Sequence, residues 1–344
     1  MYARWKGATL KKYLISGIGP GDSGGVGRLM KVLVPTYLDN GFKVIHNRDR
    51  QSIKKLIFTG RYILAILELA ARFFDKAIFN VRCSGIKNCS IVVVHPQTIG
   101  FSLLFRLIDH NDVSVYVMDC SFFCVRSYNT HPTLNQECLQ CVGSINPHAL
   151  CNPFPHKMKK DKNIAYLKKL LAISSEIKFL AQNMKQKQLL KAHFGPGTNV
   201  NVIGMDTNEV ADTANILSKK DSVVKYNVVF HGVPHIAKGL LYLIDLAVQL
   251  PNFSFLIPSD LTSVLREAKV ESLPENIDCI EVSWDVGLKE FVRCADLVIN
   301  PSLWSAPIEG ALIKSAAYNE VVATVQSEYG FESEIKVIQN HLRL

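Results

Sequence analysis

Short runs of apolar, mostly β-branched residues recur along this chain, and most are followed by a stretch in which apolar residues return every three or four positions. The runs Tyr13–Ser16, Lys43–His46, Ile91–His95, Val113–Met118, Ile177–Ala181 and Val200–Gly204 read as strands. So do Val228–His231, Phe253–Ile257, Cys279–Val282, Leu297–Asn300 and Val321–Val325. Strands that are apolar throughout suit a sheet covered on both faces, and their alternation with helices predicts parallel sheets. Ten or more strands are too many for one comfortable sheet. The polar stretch 205–225 precedes a fresh strand–loop–helix unit. The expected architecture is therefore α/β, with two doubly wound domains, 1–205 and 206–344, facing each other across a cleft.

Two stretches depart from this alternation. Residues 119–160 are irregular and rich in Cys, Pro, His and Asn, and a loop this long inside an α/β domain is usually functional or holds structure of its own. Residues 62–81 are apolar-rich, but Glu68, Arg72, Asp75 and Lys76 interrupt them, which argues against a spanning helix. Ile63, Ile66, Leu67, Ala70, Phe73, Phe74, Ala77 and Ile78 recur at helical spacing, with Lys54, Lys55 and Arg61 just before. The expectation is an amphipathic helix packed on the core. The alternative is that 54–81 rests its basic, apolar face on an anionic membrane surface.

Composition narrows the function classes. The 344 residues are 48% hydrophobic and 20% charged, the balance of a globular chain. The net charge of +9 fits anionic partners, but the basic residues cluster only loosely, in 1–12, 54–61, 157–169 and 184–191, without the pattern of an RNA-binding module. Nucleic acid is not an expected partner. No apolar signal core follows the basic start MYARWKGATLKK, so a cytoplasmic location and reduced thiols are expected for the nine cysteines. Cys120, Cys124, Cys138, Cys141 and Cys151 fall within 32 residues. Structural zinc on Cys120, Cys124, Cys138 and Cys141 is the alternative to free thiols there.

Candidate chemistry sits at the ends of strands. After Tyr13–Ser16 come Gly17, Gly19, Gly21, Gly24, Gly25 and Gly27, then an apolar helix. Such a turn lets backbone N–H groups approach a phosphate at a helix N-terminus. After Val228–His231 comes Gly232, then Lys238-Gly239 opening a helix, where a lysine adds a point charge to the helix dipole. After Leu297–Asn300 come Pro301-Ser302, Trp304 and Glu309-Gly310.

Taken in order, these motifs resemble the group 1, family-4-like glycosyltransferases of the GT-B fold. Gly24, Gly25 and Gly27 match the family's Gly-Gly-x-Gly turn, Lys238-Gly239 its Lys-Gly, and Ala295, Asp296, Pro301, Ser302 and Glu309 its later stretch, with Val321–Thr324 closing it. Asp119, Phe122, Phe123, Cys124, Arg126, Cys138 and Cys141 match an N-terminal segment. The resemblance implies two Rossmann-like domains, the first for acceptor and the second for a nucleotide-sugar donor. It implies a transferase building surface polysaccharide on a saccharide or lipid-linked acceptor, with retention of configuration; the basic, apolar stretch 54–81 favours an acceptor at the inner face of the membrane. It places Glu309 and His95 at the reacting sugar, although a satisfied loop histidine is the alternative for His95. Asp119 would be an acceptor-side base. Gly24, Gly25, Gly27, Gly232, Lys238, Ser302, Lys314 and Ser315 would bind the donor, with Arg28 a further candidate. No Asp-x-Asp pair sits in a suitable loop, so no catalytic metal and no cofactor beyond the donor are expected. The chain departs from the family at Val233, where arginine is usual, and at Ala317, where a second glutamate is usual. It ends about twenty residues after Thr324. These departures suggest a shortened second domain and, as the alternative function, a GT-B protein that binds sugar nucleotide without turnover.

Overall fold

The computed structural model describes residues 10–21, 24–48, 53–154, 158–205, 225–335 and 340–343. Residues 1–9 of the basic N-terminal segment and 206–224 of the polar stretch lie outside the described residues.

Two parallel six-stranded sheets carry the fold. The first holds β1 (Lys12–Ser16), β2 (Phe42–His46), β3 (Ser90–Val94), β4 (Asp112–Tyr116), β5 (Ile177–Ala181) and β6 (Val200–Val202), in the order β2-β1-β3-β4-β5-β6. The second holds β7 (Val228–Phe230), β8 (Phe255–Ile257), β9 (Ile277–Cys279), β10 (Leu297–Asn300), β11 (Val321–Thr324) and β12 (Asn340–Arg343), in the order β12-β11-β10-β7-β8-β9. The helices are α1 (Gly24–Asp39), α2 (Ile53–Phe58), α3 (Tyr62–Ser84), α4 (Pro96–Ile99), α5 (Phe101–His110), α6 (Lys160–Ala172), α7 (Met184–Phe194), α8 (Leu240–Gln249), α9 (Leu261–Ala268), α10 (Leu288–Cys294) and α11 (Gly310–Tyr318).

The chain divides into two compact units. The first comprises Met1–Phe122, Ile164–Gln182 and Phe194–Asp206, and the second Phe123–Asn163, Asn183–His193 and Thr207–Leu344. Each sheet is a core in its own right. In the second unit, Val228, Phe230, Phe255, Ile257 and Ile299 pack with Leu240, Leu243 and Ala247 of α8. Their strand neighbours Val229, Leu256 and Val298 pack instead with Leu288 and Val292 of α10. Side chains alternate across a strand, so both faces of this sheet are covered, and uninterrupted apolar strands are the result. In the first unit, Leu14, Val92, Val94 and Tyr116 meet Leu29 and Met30 of α1. Each large apolar side chain withdrawn from water contributes about 1.5–3 kcal/mol.

Both strand orders create a switch point. From β1 the chain moves to β2 at one edge and then returns past β1 to β3. From β7 it moves outward to β8 and β9, then returns past β7 to β10. Ligands of open α/β sheets bind at the carboxyl ends of the strands where this reversal occurs. The turns following β1 and β3, and those following β7 and β10, are thereby singled out by topology alone.

One expectation about packing is overturned. The apolar face of α3 does not pack on the core. Only Ala65, Phe79 and Cys83 of the helix are buried. Ile63, Ile66, Leu67, Leu69, Phe73, Phe74, Ile78 and Val81 are all more than half exposed, Ile63 to 76%. At 100° per residue, Arg72 falls on the buried line, with Glu68 and Asp75 to one side and Lys76 to the other, while the exposed apolar residues cover most of the remaining arc. Arg72 is paired with Glu68 at 3.1 Å. Helical periodicity reported an apolar face correctly; it carried no information about what covers that face. Among the described residues no helix is long and apolar enough to cross a membrane.

Candidate functional site

In the second unit the turns after β7 and β10 hold a compact polar cluster. A 3-10 turn, Ile236–Lys238, follows β7 and is closed by Gly239 at φ +81°. A Cβ at Gly239 would stand 2.2 Å from the Pro301 carbonyl oxygen, in the turn after β10. Glycine is therefore required twice here, by its left-handed backbone and by this approach. We expect Gly239→Ala to destabilise the protein by roughly 2 kcal/mol or more, through strain and a backbone clash together, which urea unfolding will read.

This approach aligns the side chains that follow. The Lys238 ammonium forms an ion pair with Glu309 Oε1, and the Ser302 hydroxyl donates to the same oxygen at 2.7 Å. Glu309 is the residue before α11 and its carboxylate makes no bond to that helix's N-terminus. Its side chain is 11% exposed and that of Lys238 24%. Lys238 Nζ also lies 4.9 Å from the Trp304 ring centroid, a cation–π contact. A cation and an anion are thus held at a switch point, at the entrances of α8 and α11.

Further in, Ser315 is fully buried, and its hydroxyl is engaged by His231 Nδ1 at 2.9 Å, by Asn300 Nδ2 at 3.0 Å and by the Ala311 carbonyl at 2.9 Å. His231 stacks on Trp284 with the ring planes 5° apart. Lys314 Nζ stands 4.6 Å from the Trp284 ring centroid. Burial first, and the nearby Lys314 charge second, push the His231 imidazole down to about 3, so it is neutral at ordinary pH. Gly232 follows directly, and a Cβ there would make only ordinary contact with Phe230. Val233 is 72% exposed.

The irregular segment 119–160 contributes to the same unit from Phe123 onward. Asn129 donates to Ser305 Oγ at 2.7 Å and accepts from Ser305 N–H at 2.9 Å, while Ser305 Oγ reaches Glu137. Glu137 in turn accepts the Glu328 N–H at 2.7 Å. Asn129 and Ser305 are buried, so this net clamps the segment to the loop that carries Glu309. The cysteines are free thiols. Burial pushes the Cys124 thiol up, and the neighbouring Cys141, Cys151 and Cys138 add to this. Among the described residues no group of three or more His, Cys, Asp or Glu side chains is placed to hold a metal ion.

In the first unit the switch point gathers other groups. The turn after β1 has Gly17, where a Cβ would stand 2.5 Å from the backbone of Thr98. Gly24 opens α1, and Gly25 has open space around its Cβ position. Gly27 accepts the Gly21 N–H at 3.1 Å, and Arg28 is exposed. After β3, His95 adopts a left-handed backbone at φ +55° before α4. Its Nε2 meets Asp119 Oδ2 at 3.1 Å, and Asp119 Oδ1 accepts the Ser121 N–H at 2.9 Å. His95 Nδ1 is buried and has no hydrogen-bond partner among the described residues. Left-handed strain and an unsatisfied buried nitrogen on one residue are the kind of costs that cluster at working sites.

Burial by itself raises the Asp119 carboxyl. The His95 charge and the hydrogen bonds from His95 and Ser121 outweigh it and hold the group below 3.8. A carboxylate depressed in the folded state stabilises above its unfolded value and loses that contribution as pH falls through the folded one. The stability advantage of the wild type over Asp119→Asn is thus expected to be full near neutral pH. It should shrink as pH drops through and below 3.8 in unfolding titrations.

Strand-end position and the family resemblance proposed Lys238, Glu309, Ser302, His95 and Asp119 individually. The pairing of the first two across 71 residues and of the last two across 24 is visible only in the structure. Asn129, Glu137 and Ser305 carried no sequence signal beyond lying in loops.

No protein-family profile matches the chain, and no curated protein matches it in sequence. Solved structures do match. A UDP-forming α,α-trehalose-phosphate synthase from Burkholderia xenovorans superposes with a TM-score of 0.52 at 10% identity, covering 95% of this chain and 86% of that one. A sucrose-phosphate synthase from Thermosynechococcus elongatus reaches 0.48 at 12% identity, over 92% and 81%. A glycosyltransferase involved in avilamycin A biosynthesis reaches 0.42 at 14%, over 94% and 81%. The first of these shows that the chain has the GT-B fold, with two Rossmann-like domains.

Proposed function

We propose that this GT-B chain is a glycosyltransferase that takes a sugar from a nucleotide-sugar donor. The observation that carries the reading is the Lys238–Glu309–Ser302 cluster at the β7/β10 switch point. Glycosyl transfer breaks the bond from the anomeric carbon to a diphosphate oxygen, and negative charge grows on the leaving group. Lys238 is the cation available to that charge, joined by the N-terminal ends of α8 and α11. Glu309 holds Lys238 in place before the donor arrives and then serves the sugar, orienting hydroxyls or balancing positive charge at the ring. His95 and Asp119, in the first unit, serve the acceptor side, with Asp119 as the base. On this reading these residues supply the charge stabilisation without a metal, and retention of configuration is taken over from the resembling family.

The acceptor proposed is a saccharide or lipid-linked chain in surface polysaccharide synthesis, met at the inner face of the membrane. The support for that location is the outward apolar face of α3, flanked by the exposed Arg61, Lys76 and Arg82.

A panel of nucleotide sugars tests the reading. At least one is expected to raise the unfolding temperature and to be slowly hydrolysed. If no nucleotide or nucleotide sugar has any effect, the reading is wrong. Val233 and Ala317, in place of the arginine and second glutamate usual in the resembling family, favour a second reading: a protein that binds the donor without turnover. Stabilisation without hydrolysis or transfer to any acceptor would select it.

A further inference from the structure

A cavity lined in part by the turn that carries Lys238 is left unused by the function proposed above. It measures about 390 Å³, within the range of small-molecule sites, and belongs wholly to the second unit. Arg126, Tyr128 and Phe154 line it from the irregular segment, His235 from the turn after β7, and Glu267 and Lys269 from the end of α9.

Three rings form one wall. Tyr128 and Phe154 stand 5.8 Å apart, Tyr128 and His235 5.4 Å, and Phe154 and His235 5.5 Å, centroid to centroid. Burial lowers the His235 imidazole. Glu267 opposes that and the Lys238 and Arg126 charges reinforce it, so the balance favours the neutral ring. A wall of neutral aromatic faces suits the C–H face of a pyranose ring.

The charges are unequal. Glu267 is already engaged, accepting the Ile236 N–H at 3.2 Å and meeting His235 Nε2 at 3.4 Å. Arg126 gives one N–H to the Thr130 carbonyl at 3.1 Å. Among the described residues neither Arg126 nor Lys269 has a carboxylate within ion-pair distance. The cavity therefore presents two unneutralised cations beside a cluster of mutually tilted rings, with the one lining carboxylate committed.

We propose that this cavity is a binding site for an acidic saccharide, a sugar ring bearing a carboxylate or phosphate, held by Arg126 and Lys269 at its anion and by Tyr128, Phe154 and His235 at its ring. Neutral sugars gain only the stacking, and bare anions only the charge. The site adjoins the Lys238 cluster through Ala237, which lines the cavity, and through Trp304, whose ring is 4.7 Å from Tyr128. The inference does not require that cluster to transfer sugar.

Calorimetric titration without any nucleotide tests it, so the outcome is separate from that of the donor panel. The probes are a hexuronate, a hexose 6-phosphate, the parent neutral hexose and inorganic phosphate. At least one of the two acidic sugars is expected to bind at least tenfold more tightly than both the hexose and phosphate, and the arms show which anion is preferred. Arg126→Gln/Lys269→Gln should abolish that preference, while Phe154→Leu should weaken acidic and neutral sugar alike; circular dichroism confirms that each variant is folded. The proposal is overturned if neither acidic sugar binds, if the neutral hexose or inorganic phosphate binds as well as they do, or if the folded double variant binds them unchanged.

Discussion

Lys238→Ala is expected to lower turnover of the correct nucleotide sugar by roughly 10²–10³-fold, the loss typical when one preorganised group facing developing negative charge is removed. The residue is placed for that task alone: its ammonium is partly withdrawn from water, aimed by Gly239 and Pro301, and paired with a single carboxylate. Glu309→Gln should cost about as much in kcat with little change in KM, because the amide can still accept from Ser302 but no longer balances charge. The two effects will not add. Each residue holds the other, so the Lys238→Ala/Glu309→Gln variant should be much better than the product of the single losses predicts. Steady-state kinetics on folded variants reads all three. Turnover retained in either single variant would refute the role assigned to that residue.

The second large effect is expected at α3. Each large apolar side chain moved from water into a bilayer interface contributes about 1.5–3 kcal/mol, and each nearby basic residue about 1 kcal/mol on an anionic surface. Phe73 and Phe74, 73% and 63% exposed, supply two of these contributions. Phe73→Glu/Phe74→Glu is expected to lower binding to phosphatidylserine-containing vesicles by roughly 10²-fold or more, while leaving binding of nucleotide sugar unchanged. Vesicles of zwitterionic lipid alone should bind the wild type less well, and salt should reduce only the difference between the two lipids. Sedimentation with vesicles measures this, and equal binding by wild type and variant would remove α3 as the membrane contact.

The strands were legible because they are buried on both faces and so contain little but apolar residues. Ile177–Ala181 and Leu297–Asn300 coincide with the observed strands, and the other expected strands differ by one or two residues at their ends, except Cys279–Val282, which shares only Cys279 with β9. β12, Asn340–Arg343, was missed for the converse reason: it is an edge strand, reads Asn-His-Leu-Arg, and has no apolar run to announce it. Strand ends also disclosed most of the candidate chemistry, since glycines and a lysine at those positions follow a topological rule. Which groups touch was not legible. His95 and Asp119 are ordinary loop residues until the β3 and β4 turns bring them to 3.1 Å, and α3 reads the same whether it faces core or solvent.

The clamp formed by Asn129, Glu137, Ser305 and Glu328 also bears on how the chain is made. Its parts are 168–191 residues apart, and the second unit is assembled from three separate pieces of sequence. On a ribosome adding about 5–20 residues per second, the segment from Phe123 to Asn163 must wait on the order of ten to thirty seconds for the partners that bury it. During that interval the first unit can already close its sheet once β6 emerges, while Cys124, Cys138, Cys141 and Cys151 hang from it unprotected. Slow synthesis, low temperature or oxidant during growth should therefore reduce the yield of native protein well before they affect the finished fold.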